Sequence, residues 1–324
     1  MSSIRAISVA LAGAAAIAFG AAALAQDYPT RPVLVVSPYT PGAATDIVGR
    51  IVLDQVGRQL GQSFFIENRT GGGGVVGVAS VVRADPDGYT LLLSSSSMSS
   101  AIITHNSLPY DSARDLAGVA MFGAQPNVLV VAPERGFKSV ADLVAAAKAK
   151  PGTLNFGSAG IGSASHIAGE RFRLAAKIDV AHIPFRGPEA LNELMAGRID
   201  YYFIPLAPAV GLVTQGKVVP LAVSTSQRAV LLPAVPTIAE AGYPDAEYLF
   251  WGGLSAPAKT PRAIVDKLNA EVAKALANPS VQENLAKLGV TPMPMSPEHY
   301  GKFFADDMAA MIKLGKAANI VPTV

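Results

Sequence analysis

The sequence predicts an α/β protein built as two lobes. Short apolar runs of strand character alternate with segments of helical periodicity from end to end, the signature of largely parallel sheets. Gly and Pro clusters punctuate the segments. Half of the 324 residues are hydrophobic, and the 299 that follow the first 25 suit two domains of about 150 residues each.

The amino terminus reads as an export signal. Met1 to Arg5 supplies one positive charge, Ala6 to Phe19 is an Ala-rich apolar run, and Ala23-Leu24-Ala25 has the small-x-small pattern of a cleavage site. The run is shorter than the roughly 20 residues a membrane-spanning helix needs, and no basic stop-transfer flank follows. Residues 1–25 are therefore expected to leave as a signal peptide, cleaved after Ala25 on export to the periplasm. The chain has no cysteine, which removes disulfides, thiolate nucleophiles, thiolate metal sites and a lipid attachment point together. The formal net charge of +2 drops by one when Arg5 leaves, and no block of Lys or Arg offers a footprint for nucleic acid.

Val33 to Ser37 reads as a buried strand. Ile47, Val48, Ile51, Val52, Val56 and Leu60 then recur at helical spacing up to Gly61. Phe64 to Glu67 is a second strand, followed by the run Gly71 to Gly74, and Pro86-Asp87-Gly88 turns the chain into the strand Tyr89 to Leu93. A second set opens near Asn127, with a strand at Val128 to Val131 and a helix started by Ser139 and Asp142 as a capping pair. Leu154 to Phe156 leads into the segment Gly157 to Ser163 and a helix from Ala164 to Ala176. Further strands are expected at Val180–Ile183, Asp200–Ile204 and Leu221–Ser224. Beyond Tyr248 to Leu254 come three helical segments, Pro261 to Ala277, Val281 to Leu288 and Pro297 to Ala318, the last with Ser296 as its cap. A terminal helical block without new strands must pack on an existing sheet. It is expected to return to the first lobe, so that the chain crosses between lobes twice. The expected boundaries are 26–126 with 248–324 for one lobe and 127–247 for the other.

Two segments share one physical design. Pro38-Tyr39-Thr40-Pro41-Gly42-Ala43-Ala44-Thr45-Asp46 joins a strand to a helix, and so does Ser158-Ala159-Gly160-Ile161-Gly162-Ser163-Ala164-Ser165-His166. Each places small residues and hydroxyls where the free N–H groups of a helix start point outward. Such a terminus carries about half a positive charge and accepts a carboxylate or phosphate without Lys or Arg. In α/β sheets these loops lie at the carboxyl ends of strands, where ligands bind. Two of them on opposed lobes would clamp an anion. Taken singly, each is also explained as a tight turn with capping Ser and Thr. Asp46, in a first helical turn, serves equally as a cap; in a carboxylate site it would have to point away, hold a water or meet a cation.

Other chemistries find less support. Gly72 to Gly77 matches G-x-G-x-x-G and follows a strand, which invites a nicotinamide-dependent oxidoreductase reading. No acid stands about 20 residues on to hold a ribose, so the run reads instead as a loop that needs positive φ or close backbone packing. Neither Ser158 nor Ser163 sits in a G-x-S-x-G elbow. His166 and Glu170 share a helix face, but two ligands without a third make a poor metal site. No cofactor and no metal is expected. A periplasmic hydrolase or isomerase built from distant residues stays open as the alternative.

The order of motifs resembles the Bug/TctC family, the extracytoplasmic receptors of tripartite tricarboxylate transporters. It runs through Tyr28-Pro29-Thr30-Arg31-Pro32, Pro38 to Asp46, Glu67-Asn68-Arg69, Pro86 to Leu92, Pro151 to Asn155, His166 to Glu170, Pro184-Phe185-Arg186-Gly187, Pro236-Thr237 with Glu240-Ala241-Gly242, and Trp251-Gly252-Gly253. The resemblance implies a type II periplasmic binding protein fold, two Rossmann-like lobes with a double-crossing hinge. It also implies a non-enzymatic, monomeric receptor that delivers a small carboxylate to a membrane permease or presents it to a sensor kinase. Carried over by position, it puts Tyr39, Ala43, Ala44, Thr45 and Asp46 on one wall and Ser158, Ser163 and His166 on the other, with Ser95 and Ser97 beside them. Two departures stand out. Ala43 replaces a usual second glycine. Ile204-Pro205-Leu206 stands where an Asp is common, which tilts the expected ligand from an amino acid toward an unaminated or aromatic carboxylate.

Overall fold

The protein is described by a computed structural model covering residues 28–186 and 189–322. The segment read as a signal peptide, with its cleavage point, lies outside the described residues. Two sheets form the frame. The first contains β1 (Val33–Ser37), β2 (Phe64–Asn68), β3 (Thr90–Ser95), β4 (Leu116–Gln125), β10 (Phe250–Pro257) and β11 (Thr291–Pro292), in the order β11-β4-β10-β3-β1-β2. The second contains β5 (Asn127–Val131), β6 (Asn155–Ser158), β7 (Ala181–Pro184), β8 (Tyr201–Pro205) and β9 (Val219–Val223), in the order β7-β6-β8-β5-β9. The architecture is the two-lobed α/β fold that the sequence predicts.

Strand direction departs from expectation where the lobes join. β1 runs parallel to β2 and β3, and β6 runs parallel to β7 and β8. β10, however, pairs antiparallel with β3 and β4, and β5 pairs antiparallel with β8 and β9. The cause is the connection. The chain leaves β4 at Gln125 and enters β5 at Asn127 through Pro126 alone, without a crossover helix to restore direction. Neither β4 nor the full length of β10 was legible as a strand, because glycines interrupt both. Those glycines admit a side chain from above. A Cβ at Gly118 would stand 2.8 Å from the ring of Tyr300, and one at Gly253 would stand 2.5 Å from its hydroxyl.

The helices follow their local signals. α1 (Ala44–Leu60) ends on Gly61 in the left-handed conformation, φ +67°. α2 spans Val75–Val82, α3 Ser96–Thr104 and α4 Ser112–Asp115. α5 (Val140–Ala149) begins with Ser139 Oγ accepting the Asp142 N–H at 3.1 Å. α6 (Ala164–Ala176), α7 (Glu189–Met195) and α8 (Leu206–Thr214) complete the second lobe, and α9 (Arg262–Ala277) and α10 (Pro279–Lys287) cover the first. The last helix, α11 (Pro297–Ala317), packs on α3 and β4, with Tyr300, Phe304 and Met308 around the buried Trp251. Its distal residues Met311 and Leu314 belong to the core of the second lobe. One amphipathic helix thus spans both halves of the hinge.

Candidate ligand-binding cleft

The loop after β1 is held open by its own acid. Gly42 turns the chain at φ +81°, and Ala43 starts α1 with no side-chain cap. Asp46 Oδ2 accepts the Gly42 N–H at 3.0 Å and Arg50 Nε at 3.0 Å, while Oδ1 accepts Asn68 Nδ2 at 2.8 Å and Arg50 Nη2 at 3.1 Å. Burial alone would raise this carboxyl, but hydrogen bonds from Arg50, Gly42 and Asn68 outweigh it and hold the group below the ordinary carboxylate range. Asp46 therefore reaches back over the helix start to Gly42 and is tied into a network with Arg50 and Asn68. Asn68 also donates to the Tyr39 carbonyl at 3.0 Å. Tyr39 reaches to the end of β3, its hydroxyl 2.5 Å from Ser95 Oγ, and Ser95 in turn accepts the Ser97 N–H that opens α3.

The loop after β6 in the other lobe is knitted from hydroxyls and imidazoles. Ser163 Oγ donates to the Gly160 carbonyl at 2.6 Å and accepts the His166 N–H at 3.3 Å. Ser165 Oγ accepts the Ala159 N–H, and Ser158 Oγ accepts the Gly160 N–H. The Gly162 N–H donates to His166 Nδ1 at 3.1 Å, so that nitrogen carries no proton. His182 stacks on the His166 ring and places Nε2 2.7 Å from Ser158 Oγ.

Both loops line a single cavity of about 380 Å³ between the sheets. From the first lobe it is lined by Pro38, Tyr39, Thr40, Thr70, three glycines of the 71–74 run, Ser97, Ser100, Ala101, Thr104 and His105; from the second by Ile161, Gly162 and Ser163. Among the expected residues Tyr39, Ser97 and Ser163 line it. Asp46, Ser95, Ser158 and His166 stand behind the walls as supports, and Ala43 shapes the loop. Ala44 and Thr45 face a separate void of about 10 Å³ against the hinge strands. Sequence reasoning reached α3 only at Ser97 and passed over Ser100, Ala101, Thr104, His105 and the glycine run as parts of the site. All four glycines from Gly71 to Gly74 have positive φ, and His105 Nε2 meets the Gly72 carbonyl at 3.0 Å. The run was legible as a loop of special backbone; its approach to α3 was not. The lobes touch at the cavity edge, where Ser100 Oγ donates to the Gly162 carbonyl at 2.7 Å. Among the described residues no Lys, Arg, Asp or Glu lines the cavity. A wider depression of about 890 Å³ lies along α1 and β2, away from the strand ends where the two loops meet.

Two α/β lobes, joined by paired crossing strands and closed over a polar cavity at the strand ends, define the architecture of a solute-binding receptor. The family comparison agrees. The description of the tripartite tricarboxylate transporter family receptor, TctC, matches residues 48–320, and the chain belongs to that family. Protein BugT of Bordetella pertussis is 35% identical over 287 residues, covering 88% of each chain. A protein of Pseudomonas sp. strain P51, encoded in the tcbD-tcbE intergenic region, is 36% identical over 289 residues, 89% of this chain and 86% of its own. Among solved structures, Rpa4515 of R. palustris with adipate superposes with a TM-score of 0.81 at 33% identity, covering 92% of this chain and all of that one. MatC from Rhodopseudomonas palustris with bound malate gives 0.76 at 31% identity, over 89% of this chain and all of that one.

Proposed function

We propose that this chain captures a small carboxylate, a di- or tricarboxylic or an aromatic acid, in the periplasm and delivers it to a tripartite tricarboxylate-type permease. The observation that carries the reading is the cavity itself. It offers hydroxyls and backbone from both lobes, has no acid to repel an anion, and has no acid to receive an amino group. The mature receptor begins at Gln26 and acts as a monomer. Residues 26–126 with 248–324 form one lobe and 127–247 the other. Ligand bridging both lobes stabilises the closed state by its differential affinity. A sensor kinase is a second recipient of the closed form. The acids bound by Rpa4515 and MatC support the ligand class.

An enzyme on the same scaffold would need an accessible nucleophile. The Ser158–His182 pair has the right spacing, but Ser158 is fully buried and its hydroxyl is engaged within its own loop. A thermal-shift screen against a carboxylic-acid panel that includes adipate, malate, benzoate and glutamate tests the proposal. A bound acid at 100 times its dissociation constant adds about 2.7 kcal/mol of stability. A rise with glutamate alone overturns the ligand class, and conversion of the bound acid during incubation overturns the receptor role.

A further inference from the structure

We infer that His105, which lines the cleft at the end of α3, supplies the positive charge that a bound carboxylate meets, so that ligand binding takes up a proton. The inference deepens the carboxylate reading above and rests on it.

The geometry around the ring carries the argument. Nε2 lies 3.0 Å from the carbonyl of Gly72, and Nδ1 lies 3.2 Å from the carbonyl of Ala101. Carbonyl oxygens only accept, so a doubly protonated imidazolium satisfies both contacts at once. The neutral ring protonated on Nε2 keeps the Gly72 contact while Nδ1 accepts from the Thr104 hydroxyl at 3.1 Å, and the Ala101 carbonyl then keeps only the His105 backbone N–H. Thr104 Oγ1 has a second station, the Ser100 carbonyl at 3.2 Å, to which it turns when the ring is charged. The site is thus furnished for both protonation states, and a hydroxyl switches between them. His105 is also the residue that ends α3, where a helix favours a cation.

Among the described residues that line the cavity, this ring is the group that can become a cation. Among the lining residues only Tyr39 is otherwise titratable, and burial holds its hydroxyl well above its ordinary range, so it stays neutral. α3 itself presents no acid or base, and neither does the stretch from Thr70 to Gly74; the acid that reaches α3 from α11, Asp307, is taken up by Ser99 and Trp251. On the first loop Asp46 is turned into Arg50 and Asn68, and Arg69 is paired with Glu67. On the second, His166 lies behind Gly162 with Nδ1 accepting from it. An anion entering this cavity would find fixed dipoles and one ring able to become a cation, and its presence favours the charged form.

Calorimetry with adipate on the mature protein, in two buffers of different ionisation enthalpy and at pH values from about 5 to about 8, tests this. The expected result is a dissociation constant that rises by up to about tenfold per pH unit toward the alkaline end, with close to one proton taken up per adipate there. His105→Gln should bind with a flat pH profile near the alkaline value of the parent, and His105→Lys with a flat profile nearer the acidic one. If either variant does not fold, the proton count of the parent still decides. Adipate binding with no proton uptake and no pH dependence overturns the role of His105 and leaves the carboxylate reading standing. Absence of binding by adipate, malate and benzoate alike at both ends of the range overturns both.

Discussion

His166 and His182 stack with ring centroids 4.1 Å apart and 22° between their planes, beneath the loop that closes the second-lobe side of the cleft. Both are neutral in the folded protein. Burial is the main cause in each, aided at His166 by the neighbouring ring, and lowers His166 to about 3 and His182 to about 4. The unfolded chain, with ordinary imidazoles near 6.5, binds these protons more readily. Stability from this pair is therefore fully present above about pH 6.5 and is lost as pH falls toward the folded values. Urea denaturation at about pH 7.5 and about pH 5 should show a loss of about 2 kcal/mol from His166, with a smaller share from the half-buried His182 after solvent screening. His182→Phe should retain only the His166 part. An unchanged difference in that variant would remove His182 from the account.

Asp46 is expected to matter through the shape of its loop. Replacing it by Ala leaves the Gly42 N–H without its side-chain acceptor and takes one hydrogen bond from Asn68 Nδ2 and two from the Arg50 guanidinium, at a site where the carboxylate side chain is 2% exposed. The Arg50 guanidinium left behind is half exposed and meets water, so the lost hydrogen bonds cost about 1 to 3 kcal/mol. Chemical denaturation should register that loss, and acid affinity should fall with it. Asp46→Asn, which keeps some acceptor capacity, should lose less.

Gly162 sits at the point where the lobes touch. Its φ is +78°, and a Cβ there would stand 3.0 Å from Thr104 Cγ2 on α3. Gly162→Ala therefore strains the turn by about 1 kcal/mol and wedges the cleft against closure. Calorimetry with adipate should show at least a tenfold weaker constant, about 1.4 kcal/mol, beyond any change in thermal stability. Equal affinity in the variant would mean that closure does not bring these two residues together.

Trp251 is the one tryptophan of the chain, and its indole N–H donates to Asp307 Oδ2 at 3.1 Å. The same oxygen accepts Ser99 Oγ at 2.5 Å. Ser99 stands on α3 between Ser97 and Ser100, both of which line the cleft. Ligand binding should therefore change Trp251 fluorescence, and Ser99→Ala should reduce that change by half or more while leaving the indole buried. An identical response in the variant would show that the signal reaches Trp251 by another route.

Much of this protein was written in local patterns. The alternation of strand and helix, the caps at Ser139 and Ser296, the stop at Gly61 and the two small-residue loops all depend on neighbours a few residues apart. Periodicity and backbone propensity report such relationships directly. The antiparallel pair β4 and β10 escaped because its glycines weaken strand propensity and answer instead to Tyr300, whose ring covers Gly118 and Gly253 from a distant helix.

The amino-acid sequence alone determined that two lobes would form and that each would carry a lysine-free helix start flanked by hydroxyls. Only the tertiary structure decided which groups reach the cavity. It turned Asp46 back into Arg50 and drew His166 beneath its own loop. It also brought His105 and the glycine run to the first-lobe wall, opposite Gly162. Those outcomes depend on hydrogen bonds closed between residues far apart in the chain, and no local pattern encodes such closures.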